Sequence, residues 1–334
     1  MSIWQMQRRE LIAGLGSAAA WTLVARAQQS ASRMQLIGVL MPFGKDDPQY
    51  RARIGAFLDG LRKAGRIEGQ NVRIEYCASA GIPDEIRRCA TDLVALSPAV
   101  IMATGVSTVV PLQQATHDIP IVFAVVPDPV GAGIVDSLGR PGGNVTGFSA
   151  FEYGLSGKWL EMLKEIAPNV TRVAVLRNPA ISAGIGQFAA IQAVAPSLGV
   201  ELTPMNVRDA IETERAISGF ARLPNGGLIV TGSALAAAHS DLLIKLPAEY
   251  KLPAVYYERL FVVEGGLASY GADVLDEYRL AAGYVDRVLR GEKPADLPVQ
   301  APTNYQTVIN LKAAKALGLT IPPILLSRAD EVIE

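Results

Sequence analysis

The first stretch that could do chemistry is Gly14-Leu15-Gly16-Ser17-Ala18-Ala19, which spells the G-x-G-x-x-A pattern of a dinucleotide cradle. Such a loop needs a buried strand before it, so that backbone N–H groups reach the pyrophosphate. Gln5-Met6-Gln7-Arg8-Arg9-Glu10 cannot form that strand, and the apolar run that follows ends at Val24 before Ala25-Arg26-Ala27. A basic start, a short apolar run and a small-x-small end instead predict an export signal over residues 1–27. Arg8-Arg9 leaves a twin-arginine route open beside the general one. The run is too short to span a membrane, and no cysteine stands at the cleavage point to take a lipid.

Ala103-Thr104-Gly105-Val106-Ser107-Thr108 offers different chemistry. A strand ends, Gly105 makes a tight turn, and Ser107-Thr108 open a helix. Free helix N–H groups together with the hydroxyls of Thr104, Ser107 and Thr108 suit a carboxylate, although Ser107 serves equally as a cap. Thr231-Gly232-Ser233 repeats the arrangement later in the chain. Asp128 stands between Pro127 and Pro129, where a stiff loop aims it at an ammonium group or sets it as the cap of a helix predicted at 130–138. Asn178, before Pro179, is a similar lip, and Glu258 is a second candidate for an ammonium. Phe43, Tyr256, Tyr257 and Tyr270 each sit at a strand end, where a ring can stack on a ligand or fill the core. Neighbouring strand residues point to opposite faces, so at most one of Tyr256 and Tyr257 faces any one site. Asp273 either starts a helix or touches the ligand.

Nothing in the chain makes a catalyst. His117 lies in a polar turn and His239 on a predicted helix, neither near a serine elbow or a metal-ligand spacing. No cofactor and no metal are expected. Cys77 ends a predicted strand and Cys89 lies on the inward face of the next predicted helix. A disulfide fits the exported compartment; two buried free thiols are the plainer reading. Without residues 1–27 the chain has 28 basic and 31 acidic residues, a formal charge of −3 spread evenly, which excludes a nucleic-acid partner.

The elements that must hold these residues alternate regularly. Apolar runs at 36–41, 71–76, 99–104, 120–126 and 144–149 read as strands buried on both faces. Between them come helices, the first striped by Tyr50, Ile54, Phe57, Leu58 and Leu61. The pattern restarts with a helix carrying Leu155, Trp159, Met162, Leu163 and Ile166, then strands at 172–177, 201–207, 226–232, 253–258 and 265–271. Helices follow at about 275–290 and at 311–317. The fold class is α/β, with two doubly wound parallel sheets and a ligand cleft at their strand carboxyl ends.

The stretches PIVFAVVPDPVGAGIVDSLGRPGGNVTGFS (120–149) and YVDRVLRGEKPADLPVQAPTNYQTVINLKAAKALGLTIPPILLSRADEVIE (284–334) resemble the substrate-binding proteins of ABC transporters, of the tryptophan and tyrosine type. The resemblance implies a type I periplasmic binding fold with a multi-crossover hinge. It places 34–149 with 273–298 in one lobe and 150–272 with 299–334 in the other. It also implies a periplasmic monomer, not an enzyme, that captures a small ligand and passes it to an inner-membrane ABC permease without inserting in the membrane. Together with the aromatic strand ends, it points to an aromatic amino acid or related aromatic carboxylate. An exported α/β enzyme and a ligand-sensing subunit of a membrane receptor kinase are the alternatives.

Overall fold

Strand β1 (Gln35–Met41) is buried on both faces over its apolar half, as a central strand of a parallel sheet must be. The computed structural model describes residues 34–179 and 181–334; the export signal expected at 1–27 lies outside the described residues. Chain order continues through α1 (Pro48–Lys63), β2 (Val72–Ala78), α2 (Pro83–Ala95), β3 (Val100–Thr104), α3 (Val106–Ala115), β4 (Ile121–Val126) and β5 (Val145–Ser149). The five strands form one parallel sheet in the order β2-β1-β3-β4-β5. One face packs Val39, Val100 and Val122 against Phe57 of α1; the other packs Leu40, Ile101 and Phe123 against Leu93 and Val109 of α2 and α3.

The chain then crosses to a second sheet. Its elements are α4 (Gly157–Ile166), β6 (Arg172–Arg177), α5 (Ser182–Val194), β7 (Glu201–Asn206), α6 (Ala210–Phe220), β8 (Gly226–Val230), α7 (Ala234–Ala238), α8 (Ser240–Glu249), β9 (Ala254–Tyr256), α9 (Arg259–Val263) and β10 (Ala268–Ala272). A second crossing leads to α10 (Val274–Leu289), which packs on α1 and the first sheet through Tyr278, Ala281, Ala282 and Val285. A third follows Gln300, whose backbone is bonded to Gly147 and Ser149 beside β5. It leads to β11 (Tyr305–Asn310), α11 (Leu311–Ala316), α12 (Pro323–Arg328) and β12 (Glu331–Ile333).

Most of the second sheet is parallel, in the order β12-β11-β10-β9-β8-β6-β7, but β11 runs antiparallel to β10. The reversal follows from the third crossing, which re-enters the sheet beside β10 without a helix to turn the chain round. Residues 130–138, expected as a helix, are a series of turns instead. Gly131 and Gly133 weaken the helix, and Ala132 and Gly133 bond back to Asp128 and Val130 in separate turns. Among the described residues no helix is long and apolar enough to cross a membrane.

The cysteines are joined: Cys77 at the end of β2 and Cys89 on α2 form a disulfide with Cα atoms 5.8 Å apart. This corrects the plainer reading of two free thiols. The Pro83 start of α2 turns Cys89 back over the strand end, near enough to bond.

Candidate functional site

Parallel strands from both sheets end at one gap, and a cavity of about 490 Å³ lies there. From the first lobe come Phe43 after β1, Thr104 at the end of β3 with Gly105 after it, and Val125 in β4. From the second come Gly232 and Ser233 after β8, Tyr257 and Glu258 after β9, and Tyr270 in β10. The first crossing contributes Phe151 and Glu152, and β11 opens with Tyr305.

Of the expected residues, Phe43, Thr104, Gly105, Ser107, Ser233, Tyr257, Glu258 and Tyr270 line this cavity. Gly105 has φ +73° and caps α3 without a side chain, leaving the first N–H groups of the helix open toward the gap. Ser107 beside them is exposed. Gly271 lies so near the Tyr257 carbonyl that any side chain there would collide with it. Ser233 lines the cavity while its hydroxyl accepts the Ala236 N–H.

The other six stand elsewhere. Thr108 is buried and donates to the Thr104 carbonyl at 2.8 Å, tying the first turn of α3 to the end of β3. Thr231 donates to the Leu176 carbonyl and pins β8 to β6. Tyr256 is core, with its hydroxyl on the Leu243 carbonyl, so Tyr257 is the member of that pair facing the gap. Asp128, at φ +46°, accepts the Gly131 N–H within its turn. Asp273 caps α10 through the Leu275 and Asp276 N–H groups. Asn178 follows β6 outside the cavity lining.

Arg53 was not foreseen. It is 5% exposed, lies 4.5 Å from the Phe43 ring centre, and donates to Glu258 Oε1 across the gap at 2.9 Å. Burial opposes its charge, but Glu258, helped by Tyr278 and Tyr257, outweighs burial and raises its pKa. Spacing held the clue: Arg53 falls three residues after Tyr50 and four before Phe57, on the same inward stripe. Trp159, whose spacing marks it as a core residue, also lines the cavity and donates its indole N–H to the Tyr270 carbonyl at 2.6 Å. Tyr270 stacks on Tyr305 with ring centres 5.7 Å apart. The Tyr305 hydroxyl is pushed up to about 12, mainly by burial and then by Glu152.

Behind the wall lies Glu277, on α10 and 2% exposed. Its Oε2 accepts the N–H of Val125, which sits at φ +58° beside a register shift in β4. Its Oε1 has no partner. Burial, opposed by the Val125 N–H and reinforced by Glu258, drives its pKa well above the usual carboxylate range.

Chemically the site is a largely apolar, ring-lined chamber with a helix N-terminus at one wall. One guanidinium and two carboxylates face it. Among the described residues no group of three or more His, Cys, Asp or Glu side chains is placed to hold a metal ion. His117 is exposed and His239 is half-buried between α7 and α8; neither lines the cavity.

Residues 37–333 match the family model described as ABC transporter substrate binding protein. The chain is 28% identical over 269 residues to a tyrosine-binding protein of Clostridioides difficile strain R20291, covering 79% of this chain and 75% of that protein. It is similar to a structure from Streptococcus pneumoniae described as an ABC domain in complex with L-Trp: TM-score 0.83, 27% identity, covering 90% of this chain and 100% of that one. The ligand-free, open structure of a substrate-binding protein with adhesive properties from Clostridium difficile gives TM-score 0.70 at 26% identity, covering 90% and 99%.

Proposed function

The chain belongs to the ABC transporter substrate-binding family, a family of binding proteins rather than enzymes, and from that premise we propose that it captures an aromatic amino acid or related aromatic carboxylate between its lobes. The observation that carries this reading is the chamber wall. Phe43 on one lobe stands with Trp159, Tyr257 and Tyr270 of the other, together with Phe151 from a crossing and Tyr305 at the start of β11. Aromatic pairs contribute roughly 0.5–1.5 kcal/mol each beyond burial, so several rings favour a flat ligand over a sugar or a short aliphatic chain. The tyrosine and L-Trp named for the two relatives support the same class.

The head group has a matching frame. A ligand carboxylate sits against the open N–H groups of α3 and the Ser107 hydroxyl, and the carboxylate left over once Arg53 pairs with Glu258 is Glu152, which faces an ammonium. The lobes, residues 34–149 with 273–298 and 150–272 with 299–334, close about the three crossings. Ligand contacts on both lobes shift the population to the closed form, which an inner-membrane ABC permease recognises. Residues 1–27 direct a monomeric protein to the periplasm and are then removed.

The test is calorimetry on residues 28–334 with L-tryptophan, L-tyrosine, L-phenylalanine, phenylpyruvate, L-leucine and D-glucose. Binding of at least one aromatic compound is expected, with leucine and glucose at least about a hundredfold weaker, a difference of ~2.7 kcal/mol. Tight binding of glucose or leucine alone would overturn the reading.

A further inference from the structure

Arg53 is the single basic side chain lining the chamber among the described residues. Its Nη2 donates to Glu258 Oε1 at 2.9 Å and to Gln49 Oε1 at 2.8 Å. Glu258 reaches it from the other lobe. Although Glu258 occupies the N-cap position of α9, its side chain makes no capping bond, and only 12% of it is exposed. The carboxylate is thus directed across the gap rather than into its own helix.

The charge of Arg53 is thereby already matched by one carboxylate, with its Nη2 engaged twice. A second anion would have to share that one positive charge and lie close to Glu258, and two like charges around a single buried cation are disfavoured. Arg53 also lies close to the carboxylate end of the chamber. The Tyr278 ring centre is 6.0 Å from the guanidinium, and the Tyr278 hydroxyl is 2.9 Å from Thr104 Oγ1. A second carboxylate, a few carbons from one seated at the start of α3, would meet a cation already neutralised.

Resting on the receptor reading above, we infer that Glu258 is a specificity-determining residue: by occupying Arg53 across the cleft it restricts the ligand to one anionic group and rejects dicarboxylic acids. Removing its charge while keeping its shape turns Arg53 into a free anion site.

The experiment is calorimetry on residues 28–334 as wild type, Glu258→Gln and the double variant Glu258→Gln/Arg53→Met. The probes are L-tryptophan, L-tyrosine, L-phenylalanine and phenylpyruvate on one side, L-glutamate and phenylsuccinate on the other. Glu258→Gln should move the ratio of affinities toward the dicarboxylic acids by about tenfold or more, and the double variant should lose that gain. Glu258→Asp, which withdraws the carboxylate by one methylene, carries the same expected sign if the glutamine variant fails to fold by circular dichroism. A wild type that binds none of the three aromatic amino acids and no phenylpyruvate removes the aromatic-ligand reading, and this inference with it. A wild type that binds any of them, with the ratio unchanged in Glu258→Gln or the gain kept in the double variant, overturns the charge filter alone.

Discussion

Glu277→Gln should flatten the pH dependence of folding stability. The carboxyl is fully enclosed, and its pKa is raised first by burial, with Glu258 and Asp273 adding to that effect while the Val125 N–H and Arg53 oppose it. In the folded chain it therefore stays neutral above the pH at which the unfolded chain ionises, about 4.3 for glutamate. A folded pKa above the unfolded one gives a contribution that is whole at low pH and is lost as pH rises toward the folded value. Each pH unit in that window lowers stability by up to ~1.4 kcal/mol. Glutamine copies the neutral carboxyl and keeps an acceptor for Val125, so the variant escapes the loss. As pH rises through that window the variant should gain on the wild type by up to ~1.4 kcal/mol per pH unit, or roughly 3–6 °C of unfolding midpoint per unit for lobes of this size. Glu277→Ala is the control. It leaves the Val125 N–H unpaired at a strained φ of +58°, at a cost of about 1–3 kcal/mol that does not vary with pH. Differential scanning fluorimetry of the three proteins from pH 4.5 to 8 decides the matter. Parallel curves for wild type and Glu277→Gln would refute the buried neutral carboxyl.

Reducing the Cys77–Cys89 bond, or replacing both residues with serine, should cost about 3 kcal/mol, because the bond closes a short loop spanning 12 positions; urea titration with and without reductant checks this, and coincident midpoints would contradict it. Ser107→Ala should weaken ligand binding about three- to tenfold by removing one neutral donor. Thr108→Ala should instead lower the unfolding midpoint with little change in affinity, since that hydroxyl serves its own helix; equal affinity losses would show the carboxylate seat to be misplaced. Trp4 and Trp21 precede residue 28, so a protein starting there has Trp159 as its one tryptophan, and its emission should shift when L-tyrosine or L-phenylalanine enters the chamber. Saturation without an emission change would take Trp159 out of the wall.

Much of the architecture was legible because parallel strands buried on both faces must be apolar along their whole length. Leu36–Met41 and Val100–Thr104 announce themselves as runs, and the helices between them by their stripes. What escaped was short or stabilised from afar. β12 has three residues and pairs only with β11, and nothing in Glu331–Ile333 itself demands a strand. The turns at 130–138 depend on where Asp128 and the glycines send the backbone, which an apolar count does not register. The disulfide was open for a similar reason, since 12 positions of separation fix no distance between β2 and α2.

The site divides along a different line. Residues at strand ends were found because the end of a parallel strand is where a cleft must open, and Thr104, Gly105, Tyr257 and Tyr270 all follow from that rule. Hydroxyls and carboxylates were harder to judge, because the same atom serves equally as ligand donor or local cap. Thr108, Asp128 and Asp273 took the local bond, being within three or four positions of a backbone partner that needed them. Arg53 shows the converse. A charge on the inward face of a helix reads as an error in the stripe until its partner is known, and that partner is Glu258, 205 positions away on the other lobe. Neither half of the pair explains itself from its own surroundings. Each is a buried charge that would be strongly disfavoured without the other, so the contact between the lobes is written as one charged residue in each of them.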